Sequence, residues 1–489
     1  MPLIYGLSAT LDQPLGAALN VPSRAKDPSF NHDLPGAVSR REKNQAACIP
    51  RTTIHRLISH AVSDAGDPPR IVLSRSGVAD PAADLMRDLA VPCSCQLQHL
   101  PDVHFHKSMQ FHLYKLNKIT ASMYTVNVGD GLDSLDTPSM IVDLDLMEAN
   151  IKKLFDSLLP TGVNIRPHLK TTKSAVLAGK LAAVGAKGCC VAKVSEAEAI
   201  TAAGFDDILI TCEIIGAQKV KRLVELFKKN KKIRIVIDSE FGATAINDAL
   251  DGAGVDEPIT TLIDLDVGLH RTGVAAGEPA LALARHIGNL KHLNLIGVQG
   301  YEGHLQHLHD REDRKKQCLE SMKTLTETAE ALRKAGFGID VVTTGGTGTA
   351  EFCVTVPGVT ELQPGSFIFM DTDYRNAVGS IYSNSLTILA TVVSKQGERQ
   401  VTIDTGLKSL TTDSGLAECK DRRYAHINLG DEHGSLSWEE GTPVLAVGDR
   451  IEMVPSHIDP TINLHDWYYA HRNGVIKEIW SVDSRGKVQ

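Results

Sequence analysis

From Met140 onward, short runs of apolar, β-branched residues alternate with stretches whose apolar positions recur every three to four residues. The runs predict strands at Met140–Leu144, Val163–Pro167, Cys189–Ala192, Ile208–Thr211, Ile233–Ile237, Thr261–Asp266, Leu295–Gln299, Val341–Thr344 and Phe367–Met370. The stretches between predict helices over Glu148–Leu158, Thr172–Ala183, Ser195–Ala203, Ala217–Lys229, Ala243–Asp251, Glu278–Ile287 and Asp310–Ala335, with Ser195 as an N-cap. Strands alternating with helices mean βαβ units and a mainly parallel sheet. Nine strands are one more than a (β/α)8 barrel needs. Past Tyr374 the pattern shortens to Ser385–Val393, Gln400–Asp404, Pro443–Val447, Arg450–Met453 and Gly474–Trp480, with turns and no long helix. The predicted fold class is α/β: a TIM-type (β/α)8 barrel over 123–375 and a C-terminal all-β domain over 376–489. The spare first strand is free to pair with that domain.

Residues 1–122 lack a sustained period. A short helix over Ile54 to Val62 and a strand at Ile71-Val72-Leu73 are all the pattern offers, and His104-Phe105-His106 reads as plain loop. This part holds 11 of the 21 prolines and 7 of the 19 histidines, with 13 Lys+Arg against 10 Asp+Glu. The remainder carries 38 against 49 and accounts for the overall charge of −8. A largely disordered extension, or an upstream exon wrongly joined to a chain starting at Met123, is the expectation for 1–122.

Composition adds mainly exclusions. At 42% hydrophobic and 22% charged over 489 residues, the chain is of ordinary globular make-up. No apolar run approaches the ~18 residues of a membrane-spanning helix. Net negative charge argues against a general nucleic-acid or anionic-membrane partner. Nine cysteines with no CxxC spacing suit reduced thiols and a cytoplasmic location. The first 20 residues contain no Lys or Arg, so the basic n-region expected of a secretory signal is missing. Arg24, Arg40, Arg41, Arg51 and Arg56 form a weak organellar pattern that Asp27, Asp33 and Glu42 interrupt.

In an α/β barrel, chemistry gathers where the strands end. The residues just after each strand are His168 and Lys170, Lys193, Glu213, Asp238, Asp266, Arg271, the Gly300–His304 stretch, and Thr344-Gly345-Gly346. Lys170 is a candidate Schiff-base nucleophile, its amine lowered in pKa by burial and by Arg166, His168 and Lys173; alternatively it is a surface lysine on a helix-entry loop. The glycine-rich Thr343–Thr349 turn lets backbone N–H groups close on a phosphate, or is a structural turn. His457 and Asp459, two apart, project to one side if the backbone is extended and suit a divalent ion; the bland reading is a turn before Pro460. His465 is a supporting or core residue.

Five segments, RPHLKTTK, DVGLHRTGV, GYEGHLQH, TTGGTGT and PSHIDPTINLHDW, occur in this order. Together they resemble the D-threonine aldolase group of fold-type III, alanine-racemase-like pyridoxal phosphate enzymes, over roughly residues 125–489. The resemblance implies a homodimer, pyridoxal phosphate and a divalent cation, Mn²⁺ or Mg²⁺ before Zn²⁺. Lys170 resembles the Schiff-base lysine and His168 its cofactor-binding neighbour. Arg271 resembles the arginine near the ring, Tyr301 the tyrosine beside it, and Thr344, Gly345 and Gly346 the phosphate ligands. His457 and Asp459 resemble the metal pair, and His307 a histidine acting with it. Thr172 departs from the pattern, since relatives often have His there. The implied reaction is retro-aldol cleavage of D-threonine and related D-β-hydroxy-α-amino acids to glycine and an aldehyde. D-Serine dehydratase and 3-hydroxy-D-aspartate aldolase or dehydratase are alternatives on the same fold; relatives of the first usually show His-x-Cys. A non-catalytic pyridoxal phosphate carrier would resemble a lone barrel, and a sugar-phosphate barrel enzyme would explain the glycine turn alone.

Overall fold

The computed structural model describes residues 125–489. The elements read in residues 1–122 lie outside the described residues. Two sheets organise the rest. Eight parallel strands run in the spatial order β2-β9-β8-β7-β6-β5-β4-β3: β2 Asn164–Ile165, β3 Cys189–Val191, β4 Ile208–Ile210, β5 Arg234–Ile237, β6 Ile259–Asp264, β7 Leu293–Gly300, β8 Val341–Thr344 and β9 Glu361–Leu362. Just past β2, His168 forms a parallel bridge with Cys190 of β3. The N–H of Cys190 donates to Pro167 O at 2.9 Å and that of Leu169 to Cys190 O at 2.7 Å. This contact joins the first strand to the second and closes the (β/α)8 barrel.

The barrel is filled from within by Cys190, Leu209, Val236 and Leu262, with Ile296 and Val341 against them. Alternate residues on the same strands point outward, onto the helices. The helices are α1 Leu144–Leu158, α2 Ala175–Ala183, α3 Val194–Ala202, α4 Ala217–Lys229, α5 Glu240–Gly252, α6 Glu278–Gly288 and α7 Arg311–Lys334. In α1, Leu144, Met147, Ile151, Leu154, Phe155 and Leu158 form the buried stripe that the period predicts. Its Asp143 cap accepts the N–H groups of Asp145 (3.0 Å) and Leu146 (3.1 Å). In α3 the capping differs from expectation. Ser195 lies inside the helix and its hydroxyl donates to Gln489 O at 2.6 Å, while Glu196 accepts the N–H groups of Ala192 and Lys193.

The predicted strand Phe367–Met370 is instead a 3-10 turn over Ser366–Ile368. Phe367, Ile368, Phe369 and Met370 are all fully buried, and an apolar run of four cannot by itself distinguish strand from turn. The eighth barrel strand is β9. Its Glu361 is buried and pairs with Arg166 at 3.0 Å, a charge that hides the strand from a hydrophobic pattern.

The second sheet is built mostly from the C-terminal residues. Its path is β13-β14-β11-β10-β1-β16-β17, with β15 beside β10 and β12 beside β15. The strands are β1 Ser139–Asp143, β10 Leu386–Lys395, β11 Gln400–Ile403, β12 Glu418–Cys419, β13 Tyr424–Leu429, β14 Gly434–Trp438, β15 Arg450–Val454, β16 Trp467–Arg472 and β17 Val475–Ser481. The spare first strand, β1, lies near the middle, antiparallel to β10 and parallel to β16. Pro443–Val447 is not a strand: proline brings no N–H, and Val444 and Val447 are exposed. The pattern missed β12, β13, β14 and β16; β13 and β14 carry His, Asn and Ser at outward positions, and β16 places Trp467 and Tyr469 there.

Candidate active site

A cavity of about 300 Å³ opens at the strand ends and is walled by residues of both sheets' connecting segments. It brings together Lys170, His168, Arg271, Tyr301, His307, Gly346, His457 and Asp459. Thr344 and Gly345 are not on its wall. The Thr344 hydroxyl faces inward, 2.7 Å from Gly300 O and 2.9 Å from Glu302 Oε2. Gly345 supplies a turn at φ +76°. Thr347 of the same glycine-rich turn and Thr171 of the lysine segment line the cavity instead, with Gly365 and Ser366, which no motif contained.

The segment after β2 presents His168 and Lys170. The backbone N–H of Lys170 donates to His168 Nδ1 at 3.2 Å, so Nε2 carries the proton and faces Thr211 Oγ1 at 2.9 Å. Burial, then the charges of Lys170, Lys173 and Arg271, hold His168 well below the ordinary histidine pKa. The imidazole is neutral.

Lys170 Nζ lies 3.7 Å from Asp459 Oδ2. Burial, the largest single influence, works to lower its pKa, but the Asp459 carboxylate together with Tyr301 and Cys212 more than offsets it, and the amine stands above its usual value. The expected cationic lowering fails because the nearby cations are already paired. Arg166 binds Asp207 (2.8 Å) and Glu361 (3.0 Å), and Lys173 binds Glu196 (2.5 Å).

The loop after β6 carries Arg271. Asp266 shapes it by accepting the N–H groups of Gly268 (2.9 Å) and His270 (3.0 Å). Gly273, at φ +99°, leaves no room for a side chain, since a Cβ there would fall 2.5 Å from the Asp266 nitrogen. The Arg271 guanidinium stands 5.8 Å from the centroid of the Tyr301 ring. Below them Asp264 is buried. Desolvation drives its carboxyl well above the usual range and neighbouring Glu213 adds to this, against donation from Gln299 (2.8 Å) and Thr272 (3.2 Å).

The glycine turn is held from behind. Thr349 donates to Glu302 Oε1 (2.5 Å) and accepts the Gly346 N–H (3.1 Å), while Gln306 accepts the Gly348 N–H (2.8 Å). A Cβ on Gly346 would approach Gln306 Oε1 to 2.4 Å. On the far wall, a Cβ on Gly365 would meet His168 O at 2.9 Å. Glu302 also lies close to Cys318 and Cys353, a buried group with metal-ligand atoms, but its carboxylate is already occupied by two threonine hydroxyls.

Of the pair, His457 keeps extended backbone (φ −142°, ψ 119°), whereas Asp459 already lies in helix. His457 caps a short helix, α10, over Ile458–Ile462; before it come α8 Ala350–Cys353 and α9 Thr372–Val378. Both side chains still reach the cavity. His457 Nδ1 contacts the Asp413 carboxylate, a partner that no motif pointed to. Asp459 Oδ1 is buried without a hydrogen-bond partner. Asp371 accepts the N–H groups of Tyr374 (2.8 Å) and Ile458 (3.0 Å), tying α9 to α10. His307 Nδ1 stands 3.0 Å from Asp373 Oδ2, and its ring is 4.3 Å from that of Tyr374. Burial lowers its pKa, with Asp373 opposing. His465 Nε2 faces Ser409 O at 2.9 Å, a supporting contact.

This architecture has counterparts. Residues 142–373 match the alanine racemase N-terminal domain family and 385–471 the putative serine dehydratase domain family. D-Threonine aldolase from an Arthrobacter species is 38% identical over 73% of this chain and 95% of its own length. The chain belongs to the D-threonine aldolase group of fold-type III enzymes. As a member it is a lyase whose cofactor is pyridoxal phosphate. The crystal structure of D-threonine aldolase from Filomicrobium marinum superposes with a TM-score of 0.72 at 34% identity, covering 74% of this chain and all of the other. The 3-hydroxy-D-aspartate aldolase of Paracoccus denitrificans is 34% identical over 74% of this chain and 96% of its own length. D-threo-3-hydroxyaspartate dehydratase from a Delftia species is 31% identical over 67% and 92%.

Proposed function

We propose that the protein cleaves D-threonine and related D-β-hydroxy-α-amino acids to glycine and an aldehyde, with pyridoxal phosphate and a divalent cation. The observation that carries this reading is the 3.7 Å separation of the Lys170 amine and the Asp459 carboxylate across one cavity. A substrate tethered at the lysine end is within reach of a cation at the His457–Asp459 end.

The residues fit both groups. The unpartnered, buried Asp459 Oδ1 beside an imidazole is a donor set for a borderline or hard divalent ion. The Gly346–Thr347 turn and the Gly365–Ser366 bend leave side-chain-free backbone and hydroxyls for a phosphate, and Thr171 Oγ1 is buried there without a partner. Bound pyridoxal phosphate supplies the sink for the electron pair released when the Cα–Cβ bond breaks. A cation held by His457 and Asp459 would acidify the substrate β-hydroxyl.

The chain's own residues do the rest. Lys170 would bond the cofactor, and His168, neutral and fixed by Thr211, holds the lysine's backbone in place. Arg271 would hold the ring-nitrogen end and, since guanidinium does not release its proton, would leave that nitrogen unprotonated. Tyr301, on the same wall, would pack beside the ring. Neutral His307 accepts the β-hydroxyl proton at the free ring nitrogen, with Asp373 against the other. The enzyme acts as a homodimer in the cytoplasm. The six cysteines of the described residues are all free, as a reducing compartment requires. No described helix is long and apolar enough to cross a membrane.

A second reading, loss of the β-hydroxyl from D-serine or 3-hydroxy-D-aspartate, is supported by the dehydratase relative. Purified protein with pyridoxal phosphate and Mn²⁺, offered D-threonine, D-serine and 3-hydroxy-D-aspartate separately, discriminates the two. Glycine with acetaldehyde from D-threonine is expected. Pyruvate from D-serine without cleavage of D-threonine would replace the aldolase reading by the dehydratase.

A further inference from the structure

Behind His457 stands a carboxylate that the cavity does not include. We propose that Asp413 is a positioning residue that fixes His457 with its Nδ1 protonated and turned inward, so that Nε2 is the atom offered to the cation. The proposal rests on the reading of His457 and Asp459 as the cation pair.

The contact between His457 Nδ1 and Asp413 spans 44 positions of sequence, so it is made by folding and not by local turn geometry. The loop that delivers Asp413 is anchored on both sides of the pair. Thr411 O accepts the Ser456 hydroxyl at 3.3 Å, one residue before His457. Thr411 also meets the Thr461 hydroxyl, through its N–H at 3.3 Å and its Oγ1 at 3.0 Å, two residues after Asp459. His465 holds the same loop at Ser409. Asp413 is therefore bound to the frame that carries the pair, and it cannot drift from His457 without loosening that frame.

The chemistry of imidazole gives this contact its meaning. A neutral ring has one N–H and one lone pair, and only the lone pair binds a metal. A carboxylate at Nδ1 selects the tautomer with the proton there, sets the ring plane and raises the basicity of Nε2. Removing such a partner from a metal-bound histidine typically costs 10–100-fold in metal affinity.

The test uses full-length protein loaded with pyridoxal phosphate and titrated with Mn²⁺, with free Mn²⁺ read by electron paramagnetic resonance. Asp413→Ala should weaken Mn²⁺ binding by about 10–100-fold while the absorption of the bound cofactor stays unchanged. Asp413→Asn keeps an oxygen that accepts from Nδ1–H, so it should recover part of that loss. Unchanged Mn²⁺ affinity in Asp413→Ala would overturn the proposal, and so would an Asn variant as weak as the Ala variant. If the wild-type holoenzyme takes up no Mn²⁺, the reading of the pair as a cation site itself falls, a result distinct from either of these.

Discussion

Lys170 sits between opposing influences: burial works to remove its proton, and Asp459 with Tyr301 and Cys212 together keep it. Its replacement is the most direct check of the cofactor's attachment. Lys170→Ala should abolish the visible absorption band of the bound cofactor, and a retained band would assign the attachment elsewhere. Gly346 is a steric case. Any Cβ there meets the Gln306 amide, which itself holds the next turn of backbone. Gly346→Ala should weaken pyridoxal phosphate binding at least tenfold, as fluorescence titration would show, with Lys170 untouched. Asp264 is a third. Its folded-state pKa is raised, so its contribution to stability is complete below the ordinary carboxyl value of about 3.9 and is lost as pH rises through the raised value. Thermal midpoints should therefore fall toward alkaline pH, and Asp264→Asn, which keeps the oxygen that Gln299 donates to, should flatten that fall. Parallel curves for the two proteins would show that Asp264 is ionised in the native state.

At the scale of elements, the barrel depends on ion pairs as well as apolar packing. Arg166 is 1% exposed and links the end of β2 to β9 through Glu361 and to the start of β4 through Asp207. Arg166→Met leaves the buried Glu361 unpaired and should lower unfolding stability by about 3–5 kcal/mol in a urea titration. The same pair explains what the sequence made legible. β8 declares itself by an unbroken β-branched run and β4 by an unbroken aliphatic one, and α4 was bounded to the residue by its period. Glu361–Leu362 did not, because the partner that makes its charge tolerable is 195 positions away. Lys170, Arg271 and the His457–Asp459 pair were legible as motifs. Their geometry was not: the backbone is extended at His457 but helical by Asp459, and the raised pKa of Lys170 followed from neighbours that only the fold supplies. Gly365 and Ser366 carry no signal of their own until the barrel brings their loop against the glycine-rich turn.

For the molecule as a whole, β1 ties the two sheets into one chain path. Its residues pair with β10 and β16, and α1, which follows directly, shares the main apolar core and donates from Asn150 to Ile368 O in the turn after β9 at 3.1 Å. A chain beginning at Met123 should keep its fold, as circular dichroism and thermal unfolding would record. One beginning at Leu144 lacks β1 and should lose cooperative unfolding of the C-terminal sheet. The placement of β1 also governs how the molecule is made. On the ribosome, Ser139–Asp143 emerges early, but its neighbours at Leu389 and Tyr469 are synthesised only after the entire barrel. At about 5–20 residues per second, that apolar strand waits on the order of tens of seconds with both edges open. Throughout that interval it is a template for pairing with other nascent chains. Slow synthesis or dense polysomes should thus favour aggregation of this protein, and a chaperone that shields one early segment should relieve it.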